Sequence, residues 1–461
     1  MNTYDLVVRG GTVVTAGVTA ECDLGISDGT ISQLGGSMQG REELDASGAL
    51  VLPGGLDMHV HLSEPEESPG EPAWIDDFES GSAAAIAGGV TTFGNMTFPA
   101  DGDSLHQSLA RDLEAARDMA AIDYVLHPVM FGHMTGALAE LPLLADEGHT
   151  SLKLFMIGPD FDEHADTMIE AVRIAGESGL LTLIHCEDGP LVRFANQQLL
   201  SAGRGSLADW AESRPIAAER AAVERAVAIC EATGSPVYIV HLSSADALAA
   251  ARAGRARGLP VFVETRPLYL HLTSSALAGP QGGRFIGAPP LREQGDVAAL
   301  WAGLADGSID TLGSDHAPWL LEHKIDPVLD VTTARQGVAD LETMLPMLYS
   351  EGVRTGRISL DRFVALTAAN PARLFGLYPR KGTIAVGSDA DILILDPQIK
   401  KIIDGRSMRS RAGYSAYDGH EVHGWPRFTI SRGEVVLADG EVLAQPGRGQ
   451  WVPRSGVTGH L

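Results

Sequence analysis

Cysteine is nearly absent. Cys22, Cys186 and Cys230 are the only three in 461 residues. They are widely spaced and form no CxxC pair, which excludes a disulfide framework and a zinc ribbon. Free buried thiols are the expectation. Long apolar runs are missing as well: no stretch approaches the ~18 uninterrupted apolar residues of a membrane helix. No basic-plus-apolar segment opens the chain. A cytoplasmic protein without a membrane partner is therefore expected. Positive charge is in deficit, with 34 Lys and Arg against 60 Asp and Glu and a formal net charge of −26. A nucleic-acid partner requires a basic footprint and is excluded. Aromatic residues, at 6%, and hydrophobic residues, at 44%, are ordinary for a soluble enzyme.

Lysine is the scarcest charged residue, confined to Lys153, Lys324, Lys381, Lys400 and Lys401. The last four sit in polar or turn-like stretches, where a solvated head group is expected. Lys153 alone stands inside an apolar run, SLKLFM.

What is present is a repeated pattern of apolar runs that end on polar residues with ligand chemistry. The runs GGLDMHVH, SLKLFM, LLTLIHCED, VYIVHLSS and IDTLGSDH carry His59, His61, Lys153, His185, His241 and Asp315. Strand-like runs near 55–60, 90–96, 122–130, 151–156, 181–186, 237–242, 260–265 and 309–315 alternate with amphipathic helical stretches such as DSLHQSLARDLEAARDMAA. Their apolar positions recur at three and four residues. Eight such alternations predict an α/β fold, a (β/α)8 barrel. Both chain ends instead show short alternating strands with glycine turns, as in YDLVVRGGTVVT and RFTISRGEVVLADGEVL, which are hairpin signals. The expected organisation is a small β-sandwich built from both termini (1–51 and 379–461, the latter with a tail) around a catalytic barrel at 52–378.

In a parallel barrel the C-terminal strand ends share one rim and carry the chemistry. His59 and His61, two apart, face the same side of a strand. Each histidine alone could be a structural side chain capping a strand, and Gly-Ser-Asp could be an Asx turn. Recurrence at one strand position on several strands favours a metal site. Four histidines and a carboxylate exceed the three protein ligands usual for one catalytic zinc, and two ions about 3.5–4 Å apart would use them all. Lys153 fits such a pair only as a carbamate, formed when a neutral, buried amine reacts with carbon dioxide. Otherwise it is a core lysine snorkelling to water, and spacing alone leaves the two readings level. Glu187 and Asp188 are candidates for orienting His185. His316 could face the substrate or point away. Residues 63–76 read as a loop over the rim, and Asn370 as a helix or turn signal.

With these motifs in view, the whole chain resembles the cyclic amidohydrolases: hydantoinases, dihydropyrimidinases, allantoinases and dihydroorotases. The resemblance rests on LVVRGGTVV, PGGLDMHVHLSEP, SLKLFM, HCEDG, VHLSSADAL, APPLRE, IDTLGSDHAP and NPARLFGLYPRKGTIAVGSDADILILD. It implies a (β/α)8 barrel with a β-sandwich and two zinc ions bridged by carboxylated Lys153 and a hydroxide. His59, His61 and Asp315 would hold the more buried ion, and His185 and His241 the other. Asp315 would be the general base, then acid, in opening a small cyclic amide to an N-carbamoyl acid. The resemblance also implies a homodimer or homotetramer. Three departures mark candidate substrate contacts. Ser63 stands where dihydroorotases carry an arginine, Gly158 where D-hydantoinases carry a tyrosine, and Ala288 where they carry a serine. The hydantoinase branch is the preferred reading. Allantoinase is the alternative, ahead of dihydroorotase or a non-catalytic scaffold.

Overall fold

Eight short parallel strands form the centre of the molecule in the computed structural model, which describes residues 3–63 and 72–456. They are Gly55–Val60, Val90–Thr97, Asp123–Pro128, Ser151–Phe155, Leu181–His185, Val237–Ile239, Val261–Thr265 and Thr311–Leu312. The first three pair in one sheet and the last five in another. Parallel bridges Val129–Lys153 and Val60–His316 join the two sheets into a closed barrel. Closure buries both faces of the strands, which explains their apolar runs. The intervening helices start and stop on local signals. Ser104 and Gln107 cap Leu105–Met119 reciprocally, a capping box that satisfies otherwise orphaned donors. Gly234, at φ 70°, ends Ile216–Thr233 in the left-handed conformation that favours glycine.

Two strands are shorter than their apolar runs. The sixth stops at Ile239 and the eighth at Leu312, against the expected 242 and 315. Beyond them His241 and Asp315 adopt φ of 38° and 51°, incompatible with an extended ladder. Side chains then replace backbone partners: Glu264 Oε1 accepts from His241 N–H at 3.0 Å, and Asp57 Oδ1 from Ser314 N–H at 3.1 Å.

The two chain ends share one seven-stranded sheet, in which Leu50–Pro53 pairs antiparallel with Ile392–Ile402. A four-stranded sheet from the N-terminal segment packs on it through a core that includes Leu6, Val8, Ile26, Val51, Ile392 and Ile430. The chain then returns to the barrel floor, where Tyr124 N–H donates to Gln450 O and Val452 N–H to Tyr124 O.

Lys381 joins these units. Expected in solvent, it is fully buried, with Nζ 2.8 Å from Asp123 Oδ2, 3.1 Å from Asp389 Oδ2 and 2.5 Å from Asp391 Oδ2. Asp123 begins the third barrel strand, and Asp391 immediately precedes a sandwich strand. The distant carboxylates supply the solvation that water would otherwise give. Removing one partner of such a buried group leaves uncompensated charge, at a cost of about 3–5 kcal/mol. Lys381→Met should therefore lower the midpoint of urea unfolding clearly; a wild-type midpoint would show that the cluster does not tie the units together.

Candidate metal centre

The barrel rim gathers all six residues of the strand-end pattern around one cavity of about 370 Å³. His59 Nε2 lies 3.3 Å and His61 Nε2 3.0 Å from Asp315 Oδ1. Beside them His185 Nδ1 and His241 Nε2 are 3.0 Å apart, and the His59 and His241 rings stack with centroids 5.3 Å apart. His241 and Asp315 are aimed inward by their left-handed backbones. These residue types tolerate that region, and strain of this kind clusters at functional sites.

Neighbouring groups fix how these rings present their nitrogens. His59 Nδ1 is 2.7 Å from Glu264 Oε1, and His185 Nε2 is 2.8 Å from Glu187 Oε2. Each carboxylate accepts a ring N–H and leaves the opposite nitrogen as the lone-pair donor. His59 Nε2 and Asp315 Oδ1 then face each other 3.3 Å apart, an arrangement that a cation between them would coordinate. Burial pulls His61 down to about 4 and lowers His185 and His241 as well, so these rings are neutral at pH 7. Burial pushes Asp315 up, but Arg266 and the histidines outweigh it and hold it well below the usual carboxylate range. Glu187, raised by burial, is brought down to about 2 by Arg214 and His185, with Arg214 Nη1 2.6 Å away.

Lys153 is fully buried among these groups. Its Nζ has no hydrogen-bond acceptor among the described residues. Burial lowers its pKa to about 8 against the opposing pull of Asp315 and Glu264. The amine is buried without a hydrogen-bonded counter-ion among the described residues and does not reach water. Imidazole nitrogens with a carboxylate suit zinc and its first-row neighbours. Among the described residues, His59, His61 and Asp315 also form a compact triad, their ligand atoms all within 4.8 Å of one another. The donor set and the orphaned amine fit a metal centre.

The remaining candidates divide. Gly158 and Ala288 line the cavity, and a Cβ at Gly158 would meet nothing within 4 Å. Ser63 is not in the lining; its Oγ donates to Asp112 Oδ2 at 2.5 Å and accepts from Asn95 Nδ2 at 2.8 Å. His316 also turns away, bonded to Asp76 Oδ2 at 2.9 Å and accepting Leu341 N–H. Asp188 caps Gly189–Ser201 and does not orient His185. Asn370 lies in a helix, its side chain donating to Asp310 O. Of the loop expected at 63–76, residues 64–71 lie outside the described residues. Lys324, also expected in solvent, is buried with Nζ 2.6–2.7 Å from the carbonyls of Ile286, Arg335 and Gly337. Three carbonyls gather on this one amine, so Lys324 pins the cavity wall at Gly337.

Sequence reasoning missed Glu264 and Arg266. Their signal was a pair of charges at i and i+2 inside the apolar run VFVETRP, which places both on one strand face. Gly313 makes room for the first, since a Cβ there would lie 2.5 Å from Glu264 Oε2. Removing a group that orients a ligand histidine typically costs 10–100-fold in metal affinity. Glu264→Gln should weaken zinc binding by about that factor in competition titrations with a chelator; unchanged affinity would refute its orienting role.

Comparison with known proteins identifies relatives over nearly the whole chain. Residues 50–436 match the model of the Amidohydrolase family. A D-hydantoinase of Ralstonia pickettii is 35% identical over 98% of this chain and 99% of its own length. A D-phenylhydantoinase of Escherichia coli O1:K1 is 37% identical over 97% and 98%. The crystal structure of a dihydropyrimidinase from Brevibacillus agri NCHU1002 superposes with a TM-score of 0.93 at 36% identity, covering 98% of this chain and 99% of that one.

Proposed function

The chain belongs to the amidohydrolase family, in its hydantoinase and dihydropyrimidinase branch, and from that premise we propose that it opens a cyclic amide ring by hydrolysis at a binuclear zinc centre. The observation that carries the reading is the convergence of His59, His61, His185, His241 and Asp315 around the unpaired amine of Lys153. His59, His61 and Asp315 would hold one ion, His185 and His241 the other, with Lys153 as a carbamate between them. When bound, the ions supply Lewis acidity, polarising the ring carbonyl and lowering the pKa of an attacking water.

The protein's own groups do the rest. Asp315 accepts the proton of the attacking water and returns it to the leaving ring nitrogen, acting as base and then acid. Addition of water across the C–N bond leaves a carboxylate and an N-carbamoyl group. Gly158 and Ala288 offer no side-chain donor, so backbone groups at these positions face the ring amide.

The substituent on that ring is read from the walls. Trp74, Phe98, Phe131, Phe155, Ile157 and Phe161 line the cavity, and Phe98 and Phe155 lie with centroids 5.8 Å apart. Such walls favour a bulky apolar or aromatic substituent. The described lining holds no arginine and no lysine except Lys153, so a ring bearing a carboxylate, as in dihydroorotate, has no cation to meet it. The named relatives are hydantoinases and a dihydropyrimidinase, which favours that branch over allantoinase.

An assay panel of 5-phenylhydantoin, dihydrouracil, allantoin and dihydroorotate tests this. Phenylhydantoin should be opened with a kcat/KM at least about 10-fold above that for allantoin, the scale of ~1.4 kcal/mol from buried apolar surface. Dihydroorotate should not be opened. Turnover of allantoin alone would defeat the reading. Lys153→Ala should lose bound zinc and activity together, measured by elemental analysis and ring-opening rate.

A further inference from the structure

The seventh barrel strand, Val261–Thr265, contributes none of the six rim residues, yet it and the residue after it send two charged side chains to the centre. Glu264 holds His59 and backs His241, as described. Two residues further along, Arg266 is fully buried and reaches the other side of the site. Its Nη1 donates to Asp315 Oδ2 at 2.7 Å. Its Nη2 lies 3.5 Å from the Asp315 carbonyl and 3.5 Å from Asp340 Oδ2. Its guanidinium lies over the Tyr269 ring, 5.7 Å from the centroid. Gly287 leaves space for it, since a Cβ there would lie 2.9 Å from Arg266 Nη1.

The two oxygens of Asp315 are thereby divided. Oδ1 faces His59 Nε2 and His61 Nε2, and Oδ2 is engaged by the guanidinium. A free carboxylate can rotate and offer an ion either oxygen or both. One whose second oxygen is tied by a charge-assisted hydrogen bond offers one, in one direction. The same arginine touches the main-chain carbonyl of Asp315, whose φ of 51° aims the side chain into the cavity. Asp340, at 3.5 Å, is a secondary partner, so a purely structural counter-ion role does not account for the shorter contact.

We propose that Arg266 is a positioning residue of the metal centre: by holding Oδ2 of Asp315 it commits Oδ1 to the ion shared with His59 and His61. Strand seven is then a support strand, with Glu264 orienting a histidine ligand and Arg266 the carboxylate ligand. The inference rests on reading the site as a metal centre.

The test follows metal release from the zinc-loaded enzyme to a chelating dye, together with the visible spectrum of the cobalt-substituted enzyme. Folding is checked by circular dichroism and by melting of the metal-free protein. Arg266→Met should release metal on the order of 10-fold faster or more, the scale expected when a ligand loses its orienting partner, and should change the cobalt spectrum. Arg266→Lys keeps the charge but not the planar fork, and should release at an intermediate rate. If Arg266→Met does not fold, Arg266→Lys decides alone. A folded variant with wild-type release and spectrum overturns the proposal, even if its metal-free form melts lower, since that result is purely structural. Wild-type protein that opens its substrate while holding no metal would instead defeat the metal reading of the site, a separate outcome.

Discussion

The hydrogen bond from His61 N–H to the carbonyl of His316, at 2.9 Å, carries the rest of the structure. With the Val60–His316 bridge it joins the first barrel strand to the segment after the eighth, and so closes the sheet. Closure is what brings His61, just past strand one, to Asp315, 254 positions away in sequence, and His59 with it. An open sheet with the same strands would leave these residues on opposite edges. The register of this one junction therefore sets the geometry of the centre.

Around that junction the barrel interior is filled with charge, and the charges are arranged in relays. Arg214 holds Glu187, which holds His185. Tyr238 O–H donates to Glu264 Oε2 at 2.8 Å while Glu264 Oε1 holds His59. Each relay ends on a rim histidine and begins on a group that contacts the rim only through the carboxylate between them. Buried polar groups are costly unless satisfied, so such relays make the site rigid: no member can move without orphaning another. Lys153 is the exception, a buried amine outside every relay.

Much of this was legible in the sequence because strand ends recur. His59, His61, Lys153, His185, His241 and Asp315 each close an apolar run, and a closed parallel barrel turns that position into a rim. The eight strand positions were legible for the same reason. Lys324 and Lys381 were not. Their immediate neighbours are polar, and the carbonyls and carboxylates that solvate them come from other segments; Asp123 is 258 positions from Lys381. Glu264 and Arg266 were hidden in the opposite way: a charge inside an apolar run is visible, but its partner is not, because His59 lies 205 positions away. Ser63 illustrates a third limit. Its position in the motif follows the ligands closely, yet Asn95 and Asp112 draw its hydroxyl out of the cavity.

The division between rim and wall explains why chemistry is easier to read than substrate. The rim residues sit on strands or within three residues of their ends, so closure of the sheet fixes where they lie. The walls need only apolar bulk, and they come from less regular places. Phe98 follows strand two, Phe131 lies beyond strand three, and Ile157, Gly158 and Phe161 follow strand four. Loops that rest on a rigid barrel can change without disturbing the centre beneath them. Lys324 limits that freedom on one side by tying the 286 and 335–337 segments together through three carbonyls. The cavity thus has one wall held at Gly337, with aromatic side chains elsewhere in its lining. Selectivity for a ring substituent would then reside in those aromatic side chains and not in the residues of the rim.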